Sequence, residues 1–126
     1  MEQDLLFLFE KCPGALPLYH ALEERLREAA PGMAVKVGKS QASFYPRHQF
    51  GCASLLAAKR KKDRPDPYLT VTFGLAYPVE SPRIAVKTEP YPNRWTHHVV
   101  LGSVEEIDEE LLGWLREAAE FAASKR

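Results

Sequence analysis

The chain has 126 residues, 45% hydrophobic and 27% charged, with 17 basic against 17 acidic side chains and a formal net charge of zero. That length suits one domain spanning residues 1–126, with a core that needs neither disulfides nor a structural metal. The balance excludes a protein that holds polyanions or membranes by bulk charge, and 10 prolines among well-spread apolar residues exclude a disordered tail or a long coiled coil.

The first third reads as helical. Asp4 caps a short apolar turn that runs to Phe9 and is broken by Pro13-Gly14. Leu5 to Phe9 is too short for a signal-peptide core or a membrane span, so a cytoplasmic protein without a membrane partner is expected. Ala15, Leu18, Leu22, Leu26 and Ala29 then recur at helical spacing and stop at Pro31-Gly32, while Glu23, Glu24, Arg27 and Glu28 form the solvated face. Cys12 and Cys52 belong to no CxxC pair and read as free thiols in or near the core.

From Met33 the period changes to two. Met33, Val35 and Val37 alternate with Ala34 and Lys36, and Gly38-Lys39 makes a tight turn into a strand from Ser40 to Tyr45. Strands are also expected over His48 to Leu55, Tyr68 to Leu75, a shorter stretch around Ile84 to Lys87, and Arg94 to Leu101 after a turn at Tyr91-Pro92-Asn93. The last 24 residues form an amphipathic helix, with a capping box from Ser103 to Glu106 and a stripe through Ile107, Leu111, Trp114 or Leu115, Ala118 and Phe121 or Ala122. Helix capping and solvation account for the acidic residues at its start, and no metal site is expected. The fold class is therefore α+β: two layers, with a five- to six-stranded, mostly antiparallel sheet and the N-terminal and C-terminal helices packed on one face.

Strand alternation divides the sheet into two sets of side chains. Val35, Val37, Val71, Phe73, Ile84, Val86, Trp95, Val99 and Leu101 are expected to face the helices. Lys36, Thr70, Thr72, Arg83, Lys87, Arg94, Thr96 and His98 are expected on the other face, joined by Gln41, Ser43 and Tyr45 if the first hairpin keeps register. Cations, hydroxyls and an imidazole gathered on one surface suit an anionic or polar ligand, although antiparallel sheets also carry wet polar faces with no ligand. In the string RWTHHVVL, His97 shares parity with Trp95 and Val99 and reads as a core histidine. His98 shares parity with Arg94 and is the better candidate for binding or proton transfer.

Charge is unevenly distributed along the chain. Residues 1–31 carry three basic and six acidic groups, residues 32–102 eleven and four, and residues 103–126 three and seven. The basic middle includes Lys59-Arg60-Lys61-Lys62-Asp63-Arg64, an arm suited to phosphate contact or simply a solvated connection. No P-loop, GxGxxG, HExxH, GxSxG or zinc-deaminase signature is present, and nothing implies a cofactor.

The segments VKVGKSQASF, PYLTVTFGL, SPRIAVKTEPYPNRWTHHVVL and EEIDEELLGWLREAAEFA resemble the bacterial family DUF5655 over about residues 18–123. The resemblance implies an α+β domain, stand-alone or appended, and carries no reaction, cofactor or catalytic residue. It emphasises Lys36, Lys39, Gln41, Arg83, Arg94, Trp95, His97 and His98, and Ala119 stands where the family pattern has an aromatic residue.

The reading that follows is a small binding domain that holds a nucleotide, nucleic acid or acidic peptide through Lys36, Lys39, Gln41, Arg83, Arg94 and His98, with Trp95, His97, Lys59 and Arg60 as secondary candidates. An alternative is a small enzyme in which a strand histidine is the general acid or base and an arginine stabilises an anion. Self-association into a homodimer through the acidic helices or a sheet edge is a third reading.

Overall fold

Six strands form one sheet in the order β1-β2-β3-β4-β6-β5, with every neighbouring pair antiparallel. They are β1 Ala34–Val37, β2 Ala42–Tyr45, β3 Gly51–Ser54, β4 Leu69–Leu75, β5 Ile84–Tyr91 and β6 Arg94–Leu101. The helices are α1 Glu2–Leu8, α2 Ala15–Ala29 and α3 Glu109–Ala123, and the computed structural model describes residues 2–45 and 48–124. The α+β class, the antiparallel sheet and the terminal helices agree with the reading of the sequence.

The core lies between the sheet and α2 and α3. Leu18, Leu22 and Leu26 from α2 and Leu111, Leu115 and Ala118 from α3 pack with Phe44, Val71, Phe73, Val99 and Leu101. Helical spacing in one layer and alternation in the other make this contact possible, since each puts its apolar residues on one side. Leu5, Leu8 and Phe9 of the α1 region also enter the core, while Leu6 and Phe7 stay exposed.

Three local departures from the expected elements have physical causes. The turn after β1 is longer than a two-residue hairpin: the Gly38 N–H reaches Gln41 O at 2.8 Å, and β2 starts at Ala42. The terminal helix is divided. Glu106 accepts from the Gly102 and Ser103 N–H groups at 2.7 and 3.1 Å, but the helical turn this closes is a 3-10 turn over Val104–Glu106. A second cap, Asp108, accepts from Leu111 N at 3.0 Å and starts α3. Finally, β5 runs on to Tyr91, and Asn93, at φ 62°, supplies the left-handed residue that its hairpin to β6 needs.

The connection from β3 to β4 contains the basic run, with a 3-10 turn at Lys61–Asp63. Its prolines seat against glycines. A Cβ on Gly102 would lie 2.7 Å from Pro65 Cβ, and one on Gly14 would lie 2.7 Å from Pro67 Cβ. Arg64 lies over the Tyr68 ring at 4.4 Å. The basic run is thus anchored on its C-terminal side, through Arg64 and the prolines that follow it.

Candidate functional site

The sheet face away from α2 and α3 is polar but only partly wet. One transverse row crosses all six strands, pairing Lys36 with Ser43, Ser43 with Cys52, Cys52 with Thr72, Thr72 with His98 and His98 with Val86. The next row pairs Ser54 with Thr70 and Thr70 with Val100. Small hydroxyl and thiol side chains fit closely here, so Ser43, Cys52, Ser54 and Thr70 are buried despite lying away from the helices.

Beyond β3 the chain folds back over this face. Thr70 Oγ1 donates to Leu56 O at 2.7 Å, Leu56 N–H donates to Ser54 Oγ at 3.2 Å, and Tyr68 Oη donates to Leu55 O at 2.7 Å. Leu55 and Leu56 thereby become one wall of a groove of about 510 Å³. The far wall comes from the end of α1 and the residues after it, with Phe7, Glu10 and Lys11, and from Lys39 and Gln41 in the β1–β2 turn. Cys52, Ser54, Thr72 and His98 line its sheet side. A second cleft, lined by Lys61, Arg64 and Tyr68, shares Lys11 and Leu55 with the groove and therefore adjoins it.

Three sequence-predicted residues meet in this groove: Lys39, Gln41 and His98. Gln41 Nε2 donates to Ser43 Oγ at 2.7 Å, which ties the turn to the polar row. His98 Nδ1 lies 2.8 Å from Thr72 Oγ1. With Thr72 donating, the neutral ring carries its proton on Nε2. Burial holds His98 below the ordinary imidazole range, which favours that neutral form. The partner of His98 is thus a hydroxyl, not the carboxylate or carbonyl that usually orients a catalytic imidazole.

The other predicted residues lie elsewhere. Lys36 begins the polar row, three strands from Thr72, and is outside the groove lining. Arg94 is exposed at the β5–β6 hairpin, opposite Tyr91. Lys59 and Arg60 are exposed, and of the basic run it is Lys61 and Arg64 that line the adjoining cleft.

Arg83 and Lys87 require correction. Arg83 precedes β5 and bridges to the acidic start of α3, 2.9 Å from Asp108 Oδ1, 3.1 Å from Glu110 Oε1 and 2.7 Å from Glu106 O. Its guanidinium lies 5.8 Å from the Trp114 ring centroid. Burial lowers its basicity, but Asp108 and Glu110 more than offset this. The side chain is a clasp between sheet and helix, committed to partners that sequence parity does not reveal.

An irregularity between Ile84 and Val86 reverses the alternation of β5. Ile84 pairs with Val99 on the helix side, yet Val86 pairs with His98 and Lys87 with His97. Val86 therefore belongs to the polar row. Lys87 lies on the helix side, where its Nζ donates to Val79 O at 3.2 Å and to Glu80 Oε1 at 2.7 Å.

Trp95 and His97 lie on the helix side, as their parity predicts, and His97 is a core histidine. Its ring is fully buried and stacks on Phe73 with centroids 5.0 Å apart. Nε2 accepts from the Val79 N–H at 3.0 Å, and Nδ1 has no hydrogen-bond partner. Burial is the largest influence and pulls its basicity down, the Phe73 backbone opposes it in part, and the nearby Lys87 charge lowers it further.

Cys52 is the groove residue that the strand pattern assigns to neither face. The period of β3 is masked by Gly51 and Ala53, so neither side of the strand looks apolar or polar by itself. Among the described residues no group of three or more His, Cys, Asp or Glu is arranged to hold a metal ion. No helix among them is long and apolar enough to cross a membrane.

Fold and groove together define a small α+β domain with a polar recess on its sheet, bordered by cations. The chain belongs to DUF5655, a domain of unknown function, whose family model matches residues 9–122. Comparison with curated proteins and with solved structures gave no match.

Proposed function

We propose that this is a binding domain whose groove holds a phosphate-bearing ligand with a planar apolar part, of the nucleotide or single-stranded nucleic-acid class. The observation that carries this reading is the convergence of Lys39, Gln41 and His98 in one groove that adjoins the cleft of the basic run through Lys11 and Leu55. Lys11, Lys39, Lys61 and Arg64 border the joined recess with positive charge, against Glu10 and Asp66. Phe7 and Leu56, 68% and 48% exposed, offer apolar surface at its edge where a base can rest. The polar floor supplies hydroxyl and imidazole hydrogen-bonding groups.

Fluorescence anisotropy with labelled mononucleotides and single- and double-stranded oligonucleotides, over a salt series, tests the reading. Single strands are expected to bind better than duplexes, and Lys39→Ala with Lys61→Ala should lower the log–log salt slope by about 0.7 for each phosphate no longer neutralised. Flat traces at low salt for every nucleotide and oligonucleotide would overturn it, and binding of an acidic peptide in their place would assign the groove to a peptide ligand.

A further inference from the structure

Within the groove the floor carries a nucleophile as well as hydrogen-bonding groups. Cys52 on β3, Thr72 on β4 and His98 on β6 stand side by side in the same transverse row, and all three line the recess. Thr72 Oγ1 is 2.8 Å from His98 Nδ1, and Thr72 is the direct cross-strand neighbour of Cys52, its hydroxyl easing ionisation of the thiol against the effect of burial. A hydroxyl accepts one hydrogen while donating its own, so Thr72 links a thiol and an imidazole that lie two strands apart. We propose that Cys52 is a nucleophilic site for a carbon electrophile bearing an anionic group, with Thr72 relaying the thiol proton to His98.

The step balances without a redox partner. As Sγ attacks the carbon, an S–C bond forms and the bond to the leaving group breaks, the leaving group taking the electron pair. The thiol proton passes to Thr72 Oγ1 while the Thr72 hydrogen passes to His98 Nδ1. The imidazole, already protonated on Nε2, becomes an imidazolium. Before the step the hydrogen bonds run from thiol to hydroxyl to imidazole, and after it they run in reverse, so no heavy atom has to move.

Burial raises the Cys52 thiol and lowers the His98 imidazole, so both are neutral at rest and the thiolate forms only as its proton leaves along the row. The groups that face this row are Glu10 and Lys11 beyond α1, Lys39 in the β1–β2 turn and Lys36 at the start of the row, with His97 next in sequence on the other face. Thr72 and His98 are positioning and relay residues, and Cys52 alone meets the electrophile. The preference for an anionic electrophile rests on the binding reading above. The relay does not.

Iodoacetamide and iodoacetate are the probes, applied to the full chain, with Cys52 and Cys12 followed separately by peptide mass spectrometry. Alkylation of Cys52 by iodoacetamide is expected to fall at least about tenfold in Thr72→Val and in His98→Gln, with Cys12 unchanged and circular dichroism unaltered. Thr72→Ser, which keeps the hydroxyl, should restore the rate. Between about pH 5 and about pH 9 the parent rate should rise with deprotonation of His98, below the ordinary imidazole range, whereas His98→Gln should rise only with the thiol itself.

No labelling of Cys52 in the folded protein, or rates indifferent to Thr72→Val and His98→Gln, would overturn the nucleophile. The iodoacetate to iodoacetamide ratio separates the two proposals. It should be higher at Cys52 than at Cys12 and drop in Lys39→Ala. Equal ratios at both cysteines, with the relay dependence intact, would overturn the anionic preference and leave the relay standing.

Discussion

His97 and His98 are neighbours in sequence and opposites in circumstance. His97 is sealed against Phe73 on the helix side, with the Val79 N–H on Nε2 and Lys87 beside it across the strand. His98 is half-buried in a recess on the other side, with Thr72 on Nδ1 and Val86 beside it. One strand thus presents one imidazole to the packed core and one to the groove. The same residue type is sealed in the core or left facing a groove according to which side of a pleated strand it leaves, and the side is decided by parity.

The contrast predicts that damage to the helix side costs stability and leaves ligand chemistry to whatever folded protein remains. Phe73→Ala should be the largest effect, about 3–5 kcal/mol by urea denaturation, because it empties the centre of the core and removes the ring on which His97 rests. A cost below about 1 kcal/mol would break the distinction between the faces. His97→Ala should cost about 1–3 kcal/mol, since it leaves the Val79 N–H buried without an acceptor.

The pH dependence follows from the direction of the shift. His97 has its folded-state basicity depressed, so the unfolded chain binds the proton more readily. Its contribution is fully present above the ordinary imidazole pKa of about 6.5 and is lost as pH falls from there through the lower folded value. His98 acts in the same sense. Urea midpoints measured downwards from about pH 7.5 should therefore fall, and less steeply in His97→Gln. An unchanged slope would place the linkage elsewhere.

Arg83→Ala sharpens the comparison at a smaller scale. It should cost about 1 kcal/mol through loss of the clasp to α3, since the pair is only partly exposed, and leave nucleotide binding unaltered. Lys39→Ala should do the converse. Stability should stay within about 0.5 kcal/mol while binding weakens. If Arg83→Ala instead weakened binding at unchanged stability, the assignment of that arginine to the helix side would fail.

Long periodic segments are the legible part of the fold. The α2 stripe, the β4 alternation and the RWTHHVVL strand each repeat a pattern often enough to specify both element and face. Features set by a single residue are not legible in this way. The irregularity after Ile84 moves Val86 and Lys87 to opposite sides from those their spacing suggests. Asp108, and not Ser103, caps the long helix, because Ile107 interrupts the turn that Glu106 closes. Of the groove, Lys39, Gln41 and His98 are visible as polar residues on strands or turns, while Cys52 is hidden in a strand whose small residues give no period.

The sequence by itself determined the α+β class, the antiparallel sheet, the two helices that cover it and the opposite faces of His97 and His98. These follow from local propensity and from the periods of helix and strand, which need no knowledge of distant residues. Only the tertiary structure decided that Leu55 and Leu56 fold over the polar face, that Arg83 is taken up by α3, and that Cys52, Thr72 and His98 stand in one row. Strand order and register bring together residues 20 to 26 positions apart in the chain, and no local pattern encodes which strands become neighbours.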